Sequence, residues 1–357
     1  MMRRLSVTVL FAASTLAQQV LAQGAARSWA SAEGTGCQVW GAVPCKDGKA
    51  TWTGRCEGLF ANGQGTLTWR CRGGDERYLG QMRDGRAHGR GTRVFLDGAR
   101  YDGDWSDGEQ TGRGTFLWPN GDRYEGDFAA GRRTGRGTFL WASGDRYDGD
   151  FVDGERTGTG TLALASGDRM EGTFVDGELN GPGTYRWANG DRYEGDFAGG
   201  RLTGRGTFAW ATGDRYEGDF VDGIRQGRGT YLWANGNRYE GDFVEGRQTG
   251  RGSYLWANGD RYEGDFADGR RTGRGTFLWA GGDRYEGDVI DGVRTGRGRA
   301  TKANGDWYEG EWRGELAEGQ GEAEIGGTRY SGEWARGCLR TAEQQLVVWD
   351  VAPSDCP

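Results

Sequence analysis

Aromatic, glycine and charged positions recur along this chain with a period of 23 residues. In one copy, residues 262–266 read Tyr-Glu-Gly-Asp-Phe and residues 273–279 read Gly-Arg-Gly-Thr-Phe-Leu-Trp. Met170 stands once in place of the leading tyrosine, and Tyr78 and Tyr308 are ten periods apart, which gives eleven repeats. A fixed period of this length indicates a repeat array. The leading tyrosines are Tyr78, Tyr101, Tyr124, Tyr147, Tyr193, Tyr216, Tyr239, Tyr262, Tyr285 and Tyr308.

Each repeat is predicted to form a β-hairpin. We number its positions from the tyrosine, so that position 1 is Tyr262 and position 18 is Trp279 in the copy above. Positions 1–5 and 14–18 alternate with period two, which is typical of strands. Positions 6–12 carry Asp-Gly and Thr-Gly, and positions 19–22 often carry Asn-Gly, as at Asn258-Gly259. Because both residues of Asn-Gly tolerate positive φ, this dipeptide favours tight turns between strands.

The pattern Tyr-x-Gly-x-Phe/Trp-x-x-Gly-x-x-x-Gly-x-Gly resembles the MORN repeat (membrane occupation and recognition nexus). The resemblance covers about residues 78–337. It implies an all-β fold, an elongated single-layer antiparallel sheet in which tandem 23-residue hairpins lie side by side. It also implies a role in binding protein or lipid rather than one defined activity.

The composition fits a thin sheet better than a thick globular core. The 357 residues include 71 glycines and 5 prolines, and 35% of them are hydrophobic. Glycines in strands let aromatic rings lie close to the backbone. So polar a chain could also be disordered, but aromatic residues make up 12% of it and are strictly periodic.

The N-terminus resembles a secretory signal. Arg3 and Arg4 precede an apolar run from Leu5 to Leu16, and Val20-Leu21-Ala22 has the small-x-small pattern of a cleavage site. We therefore expect residues 1–22 to be a signal peptide and Gln23 to begin the mature chain, which is exported and is periplasmic or secreted. The remaining 43 basic and 52 acidic residues give a net charge of −9, which argues against a nucleic-acid partner.

Six cysteines lie outside the regular array, as is expected of an exported protein stabilised by disulfides. The four N-terminal cysteines allow three pairings. A turn at residues 46–49 would fold residues 37–43 back against 50–56. This would place Cys37 near Cys56, and Cys45 near Cys71. Residues 52–69 align as a degenerate repeat, with Cys56 at position 5. The predicted disulfides are Cys37–Cys56, Cys45–Cys71 and Cys338–Cys356. Zinc would need closely spaced Cys-x-x-Cys pairs, which are absent.

These expectations divide the chain into four regions. The signal peptide is followed by a disulfide-rich N-terminal cap with a degenerate repeat at 23–77. Eleven repeats occupy 78–329, and a partial repeat with a second disulfide cap occupies 330–357. The ends of a repeat array expose sheet edges, and the two caps are expected to close them.

Alternation places the aromatic and charged positions on opposite faces of the predicted sheet. Positions 1, 3, 5, 14, 16 and 18 share one face, on which rings pack over glycines as the core. Position 23 of the preceding repeat and positions 2, 4, 13 and 15 share the other, where carboxylates and arginines form charge pairs of small individual worth. In the copy above these residues are Arg261, Glu263, Asp265, Arg274 and Thr276.

Two sets of residues are candidates for binding. The tryptophans at position 18, which include Trp233, Trp256 and Trp279, lie near the turn and are expected to be partly open. Positions 9–13 are interpreted as an arginine-rich loop along one edge, where a polyanion or anionic lipid surface could bind. Neighbouring carboxylates could instead neutralise it. The arginines proposed for this edge are Arg247, Arg251, Arg270, Arg271 and Arg274.

Motifs for catalysis and for metal binding are not found. His88 is the only histidine, so a histidine-based triad cannot recur along the array. The Gly-x-Gly pairs enter strands rather than helices, unlike nucleotide-binding loops, and calcium-binding loop spacings are not matched. We therefore predict a non-enzymatic scaffold without cofactor or metal, which binds a protein partner or a second copy of itself. The alternative is binding of an envelope lipid or glycan through the arginine-rich edge or the tryptophans.

Overall fold

A computed structural model describes residues 27–42, 45, 48–340, 345–348, 351 and 356. These residues form thirty strands. Twenty-eight of them make one long, mostly antiparallel sheet, and the last two pair separately. The all-β fold of tandem antiparallel hairpins is thereby confirmed. No helix in the described ranges is long and apolar enough to cross a membrane. The predicted signal peptide, 1–22, lies outside the described residues.

The strands that precede the array and begin it are β1(Arg27–Ser31), β2(Gln38–Ala42), β3(Lys49–Trp52), β4(Arg55–Glu57), β5(Phe60–Cys71), β6(Gly74–Arg83), β7(Arg86–Val94), β8(Arg100–Ser106), β9(Glu109–Leu117), β10(Arg123–Ala129), β11(Arg132–Leu140), β12(Arg146–Val152), β13(Glu155–Ala163), β14(Arg169–Val175) and β15(Glu178–Arg186). Those that follow are β16(Arg192–Ala198), β17(Arg201–Ala209), β18(Arg215–Val221), β19(Ile224–Leu232), β20(Arg238–Val244), β21(Arg247–Leu255), β22(Arg261–Ala267), β23(Arg270–Leu278), β24(Arg284–Ile290), β25(Val293–Thr301), β26(Trp307–Arg313), β27(Leu316–Ile325), β28(Thr328–Trp334), β29(Cys338–Arg340) and β30(Gln345–Val347).

The contacts divide the chain into two units. Of the described residues, the first unit contains those from 27 to 189 together with Phe197–Arg201, and the second contains Gly190–Asp196 and those from 202 onward. Each unit contains hairpins of the kind described below for β22 and β23, which belong to the second unit.

Each hairpin contains a bulge that the sequence does not announce. In β22 and β23, Gly264 pairs with Gly275, but the next residue, Asp265, pairs with Thr272. Two residues of β23 are therefore skipped within the hairpin, although they pair regularly with the next strand, β24. An even number of skipped residues preserves the alternation of side chains between faces.

The two-residue turn of the hairpin lies at positions 7 and 8. In this copy Asp268 has φ of 49° and Gly269 has φ of 80°. Two successive residues with positive φ are typical of a type I′ turn, whose twist matches that of the flanking strands. At positions 19–22 the expected Asn-Gly turn uses positive φ only at the glycine, such as Gly259, with φ of 94°. There the loop is closed by the Gly259 N–H, which donates to the Trp256 carbonyl at 3.0 Å.

Hydrogen bonds outside the strand pairing also join successive repeats. At one edge, the N–H at position 8 donates to the carbonyl at position 10 of the preceding repeat, as from Gly269 to Gln248 at 2.9 Å. At the other edge, the carboxylate at position 22 accepts from the next repeat, as Asp260 does from the Ala280 N–H at 2.8 Å. Most repeats are therefore held to their neighbours at both turns as well as along the strands.

The N-terminal cap has the predicted disulfides but a different strand pairing. Cys37–Cys56 and Cys45–Cys71 are both formed. The predicted pairing of residues 37–43 with 50–56 was wrong, since β2 pairs with β1 and has one bridge to β5. Strands β3 and β4 pair with β5 as the first hairpin, and the other edge of β3 is bridged by Glu33 rather than by β2. Instead β2 lies against a turn, and the Trp40 N–H donates to the Gly85 carbonyl at 2.7 Å.

The glycines of the proposed degenerate repeat pack against an aromatic ring. A Cβ added at Gly54 or Gly65 would lie 2.6 Å from ring carbons of Trp52. Trp52 thus covers a glycine pair, as the tyrosines do in the regular repeats.

The C-terminal cap is stapled by the predicted Cys338–Cys356 disulfide. None of the six cysteines is free. Strand β29 pairs with β30, and Leu339 lies against Gly332 of β28. The Val348 N–H donates to the Gly337 carbonyl at 2.9 Å, so this segment, like β2, is bound to the glycine of a position 7–8 turn.

Candidate binding groove

The position 1 tyrosines form the centre of the core on the aromatic face. Tyr262 is fully buried, and its ring lies over Gly264 and Gly275, where an added Cβ would come within 2.5 Å of it. Its hydroxyl donates to the Asp265 and Thr272 carbonyls at 3.2 and 3.4 Å. Burial, and to a lesser extent the charge of Asp265, raises the pKa of Tyr262 to about 12.

The position 5 rings interleave with these tyrosines. Phe266 meets Tyr262 and the preceding Tyr239 edge to face, with ring centroids 5.4 and 4.9 Å apart. This geometry suits the charge distribution of aromatic rings. The two rows therefore bind each repeat to the one before it, as expected of core residues.

The tryptophans at position 18 lie at the margin of this core. Trp233, Trp256 and Trp279 each follow the end of a strand and are half-buried. They alternate with the rings at position 16, as in the series Trp233, Tyr254 and Trp256, whose successive centroids are 5.2 and 4.6 Å apart. We call this series of position 16 and 18 rings the Trp row. Its tryptophans are partly open, as predicted, whereas most position 1 tyrosines are not.

Arginines at position 10 also face the aromatic side, a feature that sequence reasoning missed. Arg225 lies 5.0 Å from the ring of Tyr231 and 5.9 Å from that of Trp210. Arg133, Arg156, Arg271 and Arg294 lie against rings in the same way. A guanidinium over an aromatic face is attracted to the ring electrons. The bulge skips an even number of residues, so side chains keep alternating between the two faces. Counting back from position 16 by twos would therefore have placed position 10 on the aromatic face.

The five arginines predicted to form an edge loop lie in strands and in three different environments. Arg247 and Arg270, at position 9, pair with Asp268 and Asp291 in the next turn, at 2.9 and 3.1 Å. Arg251 and Arg274, at position 13, lie on the charged face. They are 3.8 and 3.9 Å from the position 4 carboxylates of the next strand. Arg271 alone faces the Trp row. The predicted loop at positions 9–13 was therefore wrong, because the chain resumes pairing directly after the turn.

The charged face is organised by ion pairs along and across strands. The arginine before each tyrosine pairs along its own strand with position 2, as Arg284 does with Glu286 at 2.6 Å. The carboxylate at position 4 also accepts from the bulged backbone, as Asp288 does from the Arg297 N–H at 2.9 Å. Exposed pairs of this kind contribute little energy each, but the carboxylate at position 4 fixes the bulge.

A groove opens in the Trp row between Trp256 and Trp279. It has a volume of about 150 Å³, and its lining includes Arg271, Phe277 and Glu315. Phe277 is 6.4 Å from Trp256 and 5.6 Å from Trp279 between centroids. The corresponding distances one repeat earlier are 5.2 and 4.6 Å. Burial lowers the pKa of Arg271, and Tyr262 opposes the shift. The guanidinium remains charged.

Groups that could support chemistry are sparse among the described residues. They contain no cluster of three or more histidine, cysteine, aspartate or glutamate side chains able to hold a metal ion. His88 lies in β7 rather than in a loop, and its Nδ1 is buried without a hydrogen-bond partner among them.

The sequence matches a family model in eleven segments that tile most of the array. The model is that of the MORN repeat, and the segments are 78–100, 101–123, 124–146, 147–169, 171–192, 193–215, 216–238, 239–261, 262–284, 285–307 and 308–323. The chain belongs to the MORN-repeat family. Its repeats form a scaffold of the kind that this family uses for binding. No curated protein matches the sequence significantly.

Several solved structures share a limited likeness with this MORN-repeat protein. The TCP10 domain of Danio rerio CPAP is 14% identical, covers 60% of this chain and 95% of its own, and has a TM-score of 0.32. The Drosophila melanogaster SAS-4 TCP domain, in complex with a proline-rich motif of Ana2, is 13% identical, with coverages of 50% and 85% and a TM-score of 0.23. A virginiamycin B lyase from Staphylococcus aureus, with quinupristin, is 12% identical, with coverages of 67% and 82% and a TM-score of 0.13. With TM-scores below 0.5, these likenesses carry no argument about function.

Proposed function

We propose that this protein is an exported, non-catalytic repeat scaffold that binds a protein partner, or a second copy of itself, along the Trp row. The observation that carries the proposal is the groove between Trp256 and Trp279, where the row opens beside a charged arginine. Half-exposed tryptophan and arginine are the side chains most enriched at the energetic centres of protein interfaces.

Export is supported by the signal-like sequence at 1–22 and by the three disulfides. Disulfides persist in oxidising compartments and are rare where thiols are kept reduced. The proposed regions remain a cap at 23–77, repeats at 78–329 and a second cap at 330–357.

The alternative partner is an anionic lipid or glycan of the envelope, bound through the arginine-rich edge or the tryptophans. The ion pairs favour a protein partner instead. Four of the five proposed arginines already lie within 4 Å of a carboxylate, and Arg271 is the exception. Paired charges leave little net field along the edge for a polyanion.

Photo-cross-linking should capture a protein from the Trp row. A photoreactive p-benzoylphenylalanine placed at Trp256 is expected to give discrete protein adducts in producing cells, because this position borders the groove. The same residue placed at Glu263, on the charged face, is the matched control and should give few. Adducts confined to the Glu263 position would contradict the proposal, and adducts only with lipid would favour the envelope alternative.

Processing can be tested separately. N-terminal sequencing of the protein recovered outside the cytoplasm is expected to begin near Gln23, because Val20-Leu21-Ala22 has the pattern of a cleavage site. Recovery of a chain that retains Met1–Ala22 would show that this segment is not a cleaved signal.

A further inference from the structure

Arg271 differs from the other position 10 arginines in its hydrogen bonding. Arg133, Arg156 and Arg225 each donate to the carbonyl of a turn glycine in the next repeat, at 2.8–2.9 Å. Arg294 donates from Nε to Glu315 at 2.5 Å. Among the described residues, the Arg271 guanidinium has no hydrogen-bond acceptor, although aromatic rings surround it. A half-buried guanidinium of this kind favours an incoming anion, because aromatic rings take the place of part of its hydration shell and no acceptor among those residues compensates for it.

The two carboxylates that line the groove are already engaged. Glu315 binds Arg294 through both oxygens, accepting from its backbone N–H at 2.9 Å and from its Nε. Asp260 accepts from the Ala280 N–H and from Asn258 Nδ2, both at 2.8 Å. They do not neutralise Arg271 by direct contact, so it is the charge available to a ligand in the groove.

The size of the groove fits a carboxylate side chain. A volume of about 150 Å³ is that of a cavity able to admit benzene, which is larger than a carboxylate group. The widened spacing of Phe277 from both tryptophans provides this space. A carboxylate matches the planar fork of a guanidinium and can accept two hydrogen bonds from it.

The distance between successive repeats indicates which backbone conformation of a bound segment would keep its side chains in register with the tryptophans. Successive repeats are two strand spacings apart, about 9.6 Å. A polyproline II helix has three residues per turn and a rise of about 3.1 Å, so equivalent side chains recur every 9.3 Å or so. A β-strand presents equivalent side chains about every 6.7 Å and would lose register with the tryptophans.

We propose that the groove between Trp256 and Trp279 binds the carboxylate of an acidic residue on a proline-rich polyproline II segment of a partner protein. This inference rests on the proposed function and names the partner's chemistry. Arg271 holds the carboxylate, and the two tryptophans pack against the prolines on either side, as aromatic-lined grooves do for such segments.

Synthetic peptides test the proposal on the full mature protein. Fluorescence anisotropy would compare labelled peptides with four repeats of Glu-Pro-Pro, of Gln-Pro-Pro or of Glu-Gly-Ser. We expect the first to bind about tenfold or more tightly than either of the others, because a charge-assisted pair and a preformed conformation both contribute.

Variants assign the effect to the groove. Arg271→Gln should abolish the preference for glutamate over glutamine, and Arg271→Lys should recover only part of it, because lysine keeps the charge but not the fork. Arg133→Gln, at the same repeat position but with its donor already engaged, is the matched control and should bind like the wild type. Circular dichroism would verify that each variant is folded.

Equal binding of the glutamate and glutamine peptides would overturn the proposal, and so would a preference that survives in Arg271→Gln. Equal binding of the proline and glycine-serine peptides would overturn the polyproline II conformation. Binding to phosphatidylglycerol vesicles, lost in Arg271→Gln while no peptide binds, would assign the site to lipid. Protein adducts at the Trp256 position without any peptide preference would leave the scaffold function standing and refute only this ligand.

Discussion

Gly275→Ala is expected to destabilise the protein by about 3 kcal/mol, at the upper end of what overpacking a core costs. The new Cβ would lie 2.5 Å from Cζ of Tyr262, and that ring is fully buried. Neither the tyrosine ring nor the glycine backbone can move easily to accommodate the new methyl group. The tyrosine is wedged between Phe266 and Phe277, and Gly275 is paired with Gly264 in one direction and Gly287 in the other. Thermal unfolding followed by circular dichroism would measure the effect.

Gly281→Ala is the matched control for this change. Gly281 lies in the loop that links two repeats, and no atom lies within 4 Å of its added Cβ. The substitution should alter stability by no more than about 0.5 kcal/mol, as is usual at exposed sites. If the two variants had the same midpoint of thermal unfolding, the packing of rings over glycines would not be what stabilises the repeats.

One repeat shows that this packing needs a filled space more than a tyrosine. Met170 replaces the leading tyrosine, and in its repeat the buried Leu179 lies against both Gly172 and Gly183. Leu179 stands at position 10, where five other repeats carry arginine. Met170 and Leu179 are nine residues apart in the sequence, but the bulge brings positions 1 and 10 together over the same pair of glycines. Compensation between positions 1 and 10 could not be predicted without the register.

The features predicted correctly are those fixed by the 23-residue period and by the alternation of side chains between the two faces of the sheet. A 23-residue period with alternating aromatics specifies hairpins and assigns each position to a face, and the structure places Tyr262, Phe266 and Phe277 together as expected. The cystine partners were also predicted correctly, although the pairing of residues 37–43 with 50–56 from which Cys37–Cys56 was inferred is not the one that forms.

Features that depend on the hydrogen-bond register were missed. The bulge after Gly264 has no marker other than glycine, which is present throughout the chain, so positions 9–13 were interpreted as a loop. The pairing of β1 with β2 was also missed, although Trp29 and Trp40 lie opposite each other there. Both depend on which strand edges remain unpaired once the hairpins have formed, and local sequence does not encode that.

Alkaline pH is expected to unfold the protein between about pH 10 and 12. An unfolded tyrosine has a pKa near 10, whereas burial raises those of Tyr147, Tyr216 and Tyr262 to about 12. Between these values the unfolded chain has lost protons that the folded chain keeps, so the free energy of unfolding falls as pH rises. A shift of two units corresponds to about 3 kcal/mol for each of these three tyrosines.

Parallel titrations by circular dichroism and by near-ultraviolet tyrosinate absorbance would test this expectation. Because the core tyrosines ionise only when the sheet opens, the two signals should change together and steeply for most of the tyrosine absorbance. Tyr262→Phe, which removes one such group and keeps its ring, should make the transition less steep. If most tyrosinate absorbance instead developed near pH 10 while the strand signal persisted, the position 1 hydroxyls would be open to solvent. The core would then be held by the phenylalanine rows rather than by the tyrosines.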